Sequence, residues 1–395
     1  MPVMRLQSDL LTLMQHYLDH HATTPLASAV EHAMAPLWRE AFGNPASVEH
    51  ARGLAAADRI DQARTDIARA LGAEAREIVF TSGATEANNM AVLGAARFRK
   101  KHENRDGVVV FAAEHSCVLG AAKALVDEGF RVTVLPITPQ GFADLDALEA
   151  ALDERVALVS LMLANNEVGT IQPMQQVTTL AHRFGAWVHS DAAQAVGKIP
   201  VDVRALDLDL LSFSGHKIYG PMGVGALFVR RRPRVRLEPL VHGGGQERGF
   251  RAGTLPLPLI VGLAEAVTLA QTHMQSDADK HVALRDALLE ALAETTIPFS
   301  VNGSMEHRLP GNINLSFPEI AREPLFASLA DAGIALSSGS ACSSHDVAPS
   351  HVLTAMGINP LLAQQTLRVG FGRSSTLADV HALLAALDNA HRKGG

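Results

Sequence analysis

Short apolar runs separated by helical patterns dominate the first half of the chain. These runs end at polar or glycine-containing turns, and they are "EIVF" at 77–80, "GVVVF" at 107–111, "RVTVLPI" at 131–137, "VALVSLML" at 156–163 and "AWVH" at 186–189. Continuous apolar runs of this length are typical of strands that are buried on both faces of a sheet. Their alternation with helices predicts an α/β domain with a mostly parallel sheet flanked by helices.

The segment "DRIDQARTDIARALG", which precedes the first of these runs, has the period of a helix. Ile60, Ala63, Ile67 and Leu71 recur at spacings of three and four residues, and Gly72 follows as a typical helix terminator. We expect one face of this helix to pack against the sheet.

The pattern changes after about residue 255. Two Ala- and Leu-rich stretches, "LPLIVGLAEAVTLAQTHM" and "HVALRDALLEALAET", predict long helices with few strands between them. Because 395 residues exceed the size at which a single core usually keeps growing, we expect two domains. The large domain covers residues 16–260, and a smaller α+β domain comprises residues 1–15 and 261–395.

The charge of the chain limits the partners that it can bind. A formal net charge of −7 and a pI near 6.2 argue against a general polyanion-binding protein. We interpret the basic run "RRRPRVR" at 230–236 as a solvated strand edge or loop rather than a docking patch for an acidic partner. No run approaches the roughly 18 apolar residues of a membrane span, and the start lacks the apolar core of a secretory signal. We expect a cytoplasmic protein that binds neither nucleic acid stably nor a membrane.

The chain has two cysteines, Cys117 and Cys342, which are too few for a disulfide framework. Cys342 lies in "SSGSACSSHDVAPSH", residues 337–351, where Ser and Gly predict an accessible, mobile loop. A structural cysteine is usually buried, so a thiol in such a loop suggests chemistry. His345 is a candidate for assisting its deprotonation.

Lys217 lies between two apolar runs in "LDLLSFSGHKIYGPMGVGALFVR". One interpretation is a lysine whose stem packs on the sheet while its amine reaches water. The other is an amine that forms a Schiff base with an aldehyde cofactor, because partial desolvation favours the neutral nucleophile.

An aldehyde cofactor such as pyridoxal phosphate needs an acid for its ring nitrogen and a site for its phosphate. Asp191 follows a predicted strand in "AWVHSDAAQAVG" and supplies such an acid. The segment "VFTSGATEANNMAV" predicts a strand, a turn and a helix start, where backbone N–H groups suit a phosphate. Taken singly, Asp191 is also interpreted as a helix cap, and residues 82–85 as an ordinary cap and turn.

Six motifs in one order resemble the cysteine desulfurases of the NifS/IscS group. They are "FTSGATEANN", "NNEVGTIQP", "HSDAAQAVGKIPVD", "SGHKIYGPMGVGAL", "GGGQERGFRAGTLP" and "SSGSACSS". This group belongs to the class V aminotransferase-like, fold-type I pyridoxal phosphate enzymes. The resemblance extends from Tyr17 to Arg373, and it implies a seven-stranded, mostly parallel sheet in the large domain and pyridoxal 5′-phosphate as the cofactor.

The resemblance also implies roles at the ring of the cofactor. Lys217 would carry the cofactor as a Schiff base, and Asp191 would pair with the pyridinium nitrogen. His115 of "AAEHSCV" would stack on the ring and act as an acid or base for a thiol. Gln194 and Asn166 would contact the phenolic oxygen and the bound substrate.

At the phosphate, the resemblance implies binding by Thr85 with the preceding backbone at Ala84, and by Ser214 and His216. Thr254 of "RAGTLP" would reach the phosphate of the neighbouring subunit. That role implies a homodimer with composite sites.

The resemblance makes Arg368 in "TLRVGFGR" the residue that binds the substrate carboxylate, a task suited to a planar bidentate fork. Cys342 would attack the sulfur of L-cysteine, which leaves L-alanine and a persulfide on Cys342. The persulfide would pass to a sulfur-acceptor protein, either an iron–sulfur scaffold or another sulfurtransferase. One departure from the group is "LDHHATTP", which has His20 and His21 where a Tyr or Asn and a Ser or Ala are common.

Three alternatives remain from the sequence. Another class V reaction would be a transamination, a kynureninase-type cleavage or a selenocysteine lysis, and Cys342 with its loop argues against the first two. A non-catalytic binding subunit is disfavoured because Lys217 and Asp191 are both present. A metalloenzyme is disfavoured because the 18 histidines are scattered and form no HExxH motif, so we expect no metal.

Overall fold

The computed structural model describes residues 16–338 and 348–394, so Cys342, His345 and residues 1–15 lie outside the described residues. The strands in chain order are β1 His16–Tyr17, β2 Ile78–Thr81, β3 Gly107–Phe111, β4 Arg131–Leu135, β5 Val156–Ser160, β6 Trp187–Asp191, β7 Leu210–Ser214, β8 Gly225–Val229, β9 Ser300–Val301, β10 Asn312–Ser316, β11 Ile334–Ala335 and β12 Thr366–Gly370. The α-helices are α1 Ser28–Arg39, α2 Ala51–Ala70, α3 Ala84–Glu103, α4 Ser116–Asp127, α5 Leu145–Ala151, α6 Met174–Arg183, α7 Leu257–Ala293, α8 Arg322–Asp331, α9 His351–Ala355, α10 Pro360–Gln364 and α11 Leu377–Gly394.

Seven strands form the central sheet, in the order β2-β8-β7-β6-β5-β3-β4. The pairs β3–β4, β3–β5, β5–β6 and β6–β7 are parallel, whereas β8 is antiparallel to both β2 and β7. Six strands therefore run in one direction and β8 in the other. The prediction of a mostly parallel seven-stranded sheet flanked by helices is confirmed.

The central strands are mostly apolar because helices cover both faces of the sheet. All residues of β2, β3, β5, β7 and β8 are buried, and successive side chains alternate between two cores. Ile78 and Phe80 pack on the face covered by α1, α2 and the start of α7, whereas Val79 packs on the face covered by α3 and α4. Ile60 and Ile67 of α2 lie in the first core, as the helical pattern predicts.

A second unit follows the central sheet along the chain. It contains the antiparallel sheet β12-β10-β9, the parallel pair β1–β11 and a third core. Helix α7 belongs to both units, because Leu263 and Val267 lie in a core of the large sheet and Leu284 and Leu288 lie in the third core. The predicted boundary at residue 260 thus falls inside the first turn of a continuous helix, and the domain division stays a prediction.

Helix α7 is also long and apolar enough to cross a membrane by length and composition. Within its most apolar 18-residue window, 44% of the residues are buried inside the protein, and α1 and α2 pack against the helix. A core helix that spans two packed units passes the same test, and this burial accounts for the composition of α7.

The basic run at 230–236 is only partly solvated. Residues 231–234 are exposed, in agreement with a surface loop. Arg230, however, is buried, where it donates to Asp207 and lies 3.7 Å from an oxygen of Asp209. The interpretation as a solvated segment is therefore wrong for Arg230, which forms an internal ion pair.

The segment that precedes Thr254 is anchored to the central sheet by a buried carboxylate. Glu247 adopts a left-handed backbone conformation with φ of 47°, and its side chain is 1% exposed. Its oxygens accept from the two terminal nitrogens of Arg64 at 2.7 and 2.8 Å and from Phe80 N at 2.8 Å. Removal of one member of such a buried pair leaves the other charge without compensation.

We predict that Glu247→Ala lowers the free energy of unfolding by about 3 kcal/mol, because Arg64 loses its buried partner. Urea denaturation of the cofactor-loaded protein measures this change. Asp66→Ala serves as the control, since it removes a pair with Arg69 whose side chain is 73% exposed, and we expect a change below about 0.5 kcal/mol. Equal losses in the two variants would contradict the anchoring role of Glu247.

Candidate active site

A cavity of about 620 Å³ opens at the carboxyl ends of the central strands. Strands β2, β6 and β7 run in the same direction, so the residues that follow them meet at one edge of the sheet. Ten predicted site residues line this cavity: Ala84, Thr85, His115, Asn166, Asp191, Gln194, Ser214, His216, Lys217 and Arg368. Residues that lie up to 284 positions apart in sequence, from 84 to 368, are thus brought together.

Thr254 and Cys342 are not among these ten residues. Thr254 is exposed and does not line the cavity of its own subunit. Its predicted role concerns a neighbouring subunit and stays a prediction. Cys342 lies outside the described residues.

Lys217 ends a short 3₁₀ turn, Gly215–Lys217, directly after β7. Its Nζ donates to the carbonyl oxygens of His21 at 2.9 Å and Ala22 at 2.7 Å. These two acceptors hold the amine at the wall of the cavity instead of letting it extend into bulk water. The observed position agrees with the interpretation of Lys217 as a positioned amine.

Asp191 is the last residue of β6 and is 7% exposed. Its Oδ2 accepts from Asn88 Nδ2 at 2.6 Å, and its Oδ1 accepts from Ala193 N at 2.9 Å. Each oxygen keeps acceptor capacity beyond these bonds. The carboxylate is therefore held in place while still able to accept from a cationic ring N–H.

The start of α3 and the turn after β7 form the opposite end of the cavity. Backbone N–H groups in the first turn of a helix have no partner within the helix, and they favour an anion. Ser214 and His216 line the same end. Burial and the nearby charges of Lys217 and Lys198 lower the pKa of His216 to about 4. Lys217 and Lys198 add positive charge near His216, which suits a phosphate.

Gly225 shows how closely β8 approaches this turn. A Cβ at Gly225 would lie 2.8 Å from the Cα of Gly83 and 2.5 Å from the carbonyl oxygen of Phe213. Only glycine fits between the turn and β7, and the close approach fixes the turn that precedes α3.

His115 is the N-cap of α4, and its Nδ1 accepts from Cys117 N at 3.2 Å. The same nitrogen lies 3.0 Å from the Cys117 sulfur. Burial lowers the pKa of His115; Asp191 opposes this effect, while the charges of Lys217 and His351 add to it. The His115 imidazole is therefore neutral, with Nδ1 as an acceptor. Such a ring can face an aromatic ring or take up a proton.

Cys117 also lines the cavity, although the sequence analysis assigned it no role there. Asn88 Nδ2 donates to its sulfur at 3.2 Å. Burial and the charge of Asp191 raise the pKa of Cys117 to about 12, so it stays a thiol at neutral pH. The only sequence signal for this residue is its place two positions after His115.

Arg368 approaches the cavity from β12 and is 3% exposed. Its Nη2 donates to Asp19 Oδ1 at 2.8 Å, and its Nη1 donates to the Asn166 carbonyl at 3.2 Å. These contacts orient the guanidinium, whose Nε is buried with no hydrogen-bond partner among the described residues. A substrate carboxylate in the cavity would find a positioned cation.

The segment that carries Cys342 is fixed on both sides of the undescribed residues. Arg368 N donates to the Ser337 carbonyl at 2.8 Å, which joins the start of the segment to β12. At the other end, Ser350 Oγ donates to Glu167 Oε2 at 2.5 Å, and His351 Nε2 lies 3.0 Å from the Glu114 carbonyl. Both anchors therefore belong to the wall of the cavity or to its immediate support.

Gln194 takes part in a buried network that the sequence did not predict. Its Oε1 lies 2.9 Å from His21 Nδ1 and accepts from Lys198 Nζ at 2.5 Å, while its Nε2 donates to the His21 carbonyl at 2.9 Å. Burial, together with the charges of Lys217 and Arg368, lowers the pKa of Lys198 to about 7. No periodicity marks this network, because His21 and Gln194 are 173 positions apart.

The aminotransferase class-V family matches residues 16–383 of the chain. The cysteine desulfurase IscS of Rickettsia bellii is 47% identical over 365 residues, which cover 92% of this chain and 88% of that protein. The mitochondrial cysteine desulfurase of Eremothecium gossypii is 47% identical over 374 residues, which cover 94% and 75% of the two chains.

Two solved structures agree in fold. A NifS-like protein superposes with a TM-score of 0.87 at 36% identity, covering 95% of this chain and 99% of its own. The protein SspA, solved in complex with cysteine, gives a TM-score of 0.79 at 37% identity and covers 90% and 99% of the two chains. The chain belongs to the aminotransferase class-V family, whose cofactor is pyridoxal 5′-phosphate.

The residues of the cavity fit this cofactor. One end offers helix N–H groups, Ser214 and His216 to a phosphate, and Asp191 offers a carboxylate to the ring nitrogen. Lys217 supplies the amine for covalent attachment, and His115 supplies a neutral ring. These residues match the anionic phosphate, the cationic ring and the aldehyde of the cofactor.

We predict that Cys117 reacts slowly with iodoacetamide, because at pH 8 almost none of a thiol with a pKa of about 12 is ionised. In the Cys342→Ser protein, where Cys117 is the one remaining cysteine, the rate followed by intact-mass spectrometry should rise about tenfold per pH unit up to pH 10. The Cys117→Ser, Cys342→Ser double variant gives the background. A rate that levels off near pH 8.5 would mean that burial does not protect this thiol.

Proposed function

We propose that the protein is a cysteine desulfurase, which takes the sulfur of L-cysteine, releases L-alanine and holds the sulfur as a persulfide on Cys342. One observation carries the proposal: a fixed amine, a fixed carboxylate and an oriented guanidinium line one cavity, and the segment bearing Cys342 is bound to the strand of that guanidinium. The relatives that are 47% identical carry the name cysteine desulfurase.

The bound cofactor supplies an electron sink that makes the bonds at Cα and Cβ of an amino acid labile. Arg368 binds the carboxylate of L-cysteine through its guanidinium, whose plane is set by Asp19 and the Asn166 carbonyl. Lys217 Nζ moves the proton that leaves the substrate Cα, since its carbonyl acceptors already hold it at the cavity wall.

His115 serves the thiol chemistry in this proposal. Its imidazole is neutral because burial lowers its pKa, so it can take a proton from a substrate thiol at neutral pH. The Cys342 thiolate attacks the substrate sulfur, and an S–S bond forms as the Cβ–S bond breaks. The electron pair of the broken bond stays with the substrate carbon, which takes up a proton, and the product is L-alanine.

We place Cys342 rather than Cys117 in the role of nucleophile. Cys117 is held as a thiol by burial and by Asp191, and it contacts His115 and Asn88 within the wall. A nucleophile that must also deliver sulfur to another protein needs an accessible position, which the Ser- and Gly-rich segment around Cys342 provides. The sulfur acceptor in this proposal is an iron–sulfur scaffold or another sulfurtransferase, in the cytoplasm.

The assay of this proposal uses the cofactor-loaded protein with L-cysteine and a reductant. We expect alanine and sulfide to appear in equal amounts, and Cys342→Ser to lower the rate by at least about 10³-fold while the visible absorbance of the bound cofactor remains. Lys217→Ala should lose both the rate and this absorbance. Turnover that persists in Cys342→Ser would reject the nucleophile, and alanine formed from selenocysteine alone would indicate a selenocysteine lyase.

A homodimer is part of the proposal, and an exposed apolar region supports it. Trp38, Phe42, Val48 and Leu54 are 58%, 53%, 64% and 48% exposed, and they lie together in sequence between α1 and the first turn of α2. Apolar side chains of this size that cluster on a surface are typical of an interface. Thr254 is likewise exposed, as a residue that serves a neighbouring subunit must be.

We expect sedimentation equilibrium to give about twice the chain mass of 42.0 kDa. The double variant Trp38→Glu, Val48→Glu should shift the protein toward the monomer, because two charges would be buried at the contact. Leu361→Glu is the matched control, since Leu361 is 68% exposed elsewhere on the surface. Unchanged dimers in the double variant would place the interface away from this region.

A further inference from the structure

A second, smaller cavity lies behind Lys217. Its volume is about 40 Å³, which is room for about three water-sized groups. His21 and Lys217 line both cavities, so the small one adjoins the active-site cavity without being part of it. We call it the rear cavity. None of the residues assigned to the cofactor or substrate, apart from Lys217, lines it.

His20 lines the rear cavity, and its ring nitrogens are buried there. The residue is 3% exposed, and neither of its ring nitrogens has a well-aligned hydrogen-bond partner among the described residues, although the Tyr17 backbone lies close enough to act on the ring. Its ring is wedged edge-on to Tyr17, with centroids 4.8 Å apart, and lies against Gly372, where a Cβ would come within 2.4 Å of His20 Nδ1. The ring therefore cannot turn away to satisfy its nitrogens elsewhere.

His281 of α7 lines the same cavity, and its buried Nε2 also has no partner within the described ranges. Buried polar atoms are nearly always hydrogen-bonded in proteins, and leaving one unsatisfied costs about 1–3 kcal/mol. Buried nitrogens of His20 and His281 thus face one small space, and because a neutral imidazole has one N–H and one acceptor nitrogen, the two rings offer this space at most one N–H each.

The charges around the rear cavity are mainly positive. Lys198, Lys217 and Arg373 supply cations, and His20, His21 and His281 supply imidazoles. Among the lining residues the acid is Asp277, and its Oδ2 already accepts from Arg373 Nε at 2.7 Å. Asp379, which acts on His20 from α11, is paired with His16 Nδ1 at 2.7 Å. Lys198 donates to a neutral amide, Gln194 Oε1.

These groups are close enough for their charges to shift one another's pKa values. Burial, and then the charges of His281 and Lys198, lower the pKa of His20 to about 4. Burial lowers the pKa of His281 as well, and Lys198 contributes to that shift. A cation in this space would meet the same repulsion, and no cluster of three metal-binding side chains occurs in the part of the chain that is described.

We infer that the rear cavity is a binding site for a small monovalent anion of the size of a halide or hydrosulfide ion. The ammonium group of Lys198 and the N–H groups of His20 and His281 are the donors for it. The anion accepts from one N–H of each imidazole, and it offsets the positive charge that Lys198 and Arg373 place around the space.

Bromide is the probe, because its anomalous scattering locates it directly. Crystals of the cofactor-loaded protein grown in about 0.2 M sodium bromide should show an anomalous peak in the rear cavity within hydrogen-bond reach of Lys198 Nζ and His281 Nε2. Water alone in this cavity at the same bromide concentration would overturn the inference. This measurement needs no variant, so it stays decisive if a substitution impairs folding.

A thermal titration tests the site in solution. At pH 6 and constant ionic strength, millimolar bromide replacing gluconate should raise the unfolding temperature saturably by about 2 °C. The rise should be smaller at pH 8. Since the pKa of Lys198 without the anion is about 7, binding at pH 8 must take up a proton, whereas at pH 6 Lys198 is already charged.

His281→Leu should abolish the saturable rise, whereas His273→Leu should retain it, because His273 is exposed on the same helix. An equal rise in both variants would place the bromide effect elsewhere and reject the rear cavity as its site. Competition tests which ion binds: if chloride or hydrosulfide lowers the bromide peak, that ion binds at this site. If neither ion lowers the peak, the inferred class of anion is wrong.

Discussion

The two hydrogen bonds from Lys217 Nζ to the carbonyl oxygens of His21 and Ala22 are the contact on which the candidate active site depends. The acceptors lie in a turn within the segment 16–24, which contacts both units of the molecule. Its start pairs with β11, the Leu18 carbonyl accepts from Gly370 N at 2.7 Å, and Thr24 N donates to the His216 carbonyl at 2.9 Å. The position of the amine is thus linked to that of β12, which carries the guanidinium, through nine residues of backbone.

Burial sets the charge state of the groups around this contact. It raises the pKa of Glu167 and, to a greater degree, that of Glu114, and it lowers the pKa values of His115 and His216. Burial therefore disfavours the charged forms of these two acids and two imidazoles. The charges that remain, on Asp191 and Arg368, are held by specific hydrogen bonds, so they can direct a charged cofactor and a substrate carboxylate.

The sequence predicts the central sheet well because strands buried on both faces are mostly apolar, as in β3, β5 and β7, where serine is the one polar residue type. It also predicts ten of the cavity residues. Lys217, Asp191 and the turn at 82–85 are indicated by their place after predicted strands, and the others by the resemblance of their motifs to the cysteine desulfurases. The network of His21, Gln194 and Lys198 could not be predicted, since side-chain contacts across 173 positions leave no periodic signal. The extent of α7 was also missed, because a helix that supplies two cores shows no single stripe.

The hydrogen bond between Arg368 N and the Ser337 carbonyl limits how far Cys342 can move from β12. Cys342 is five chain steps from Ser337, and an extended chain spans at most about 3.4 Å per step, so its Cα reaches no farther than about 17 Å from that of Ser337. An acceptor protein that receives sulfur must therefore bring its own reactive atom inside that radius. The point at which sulfur is delivered therefore lies near the rim of the cavity, whichever surface the acceptor uses to dock.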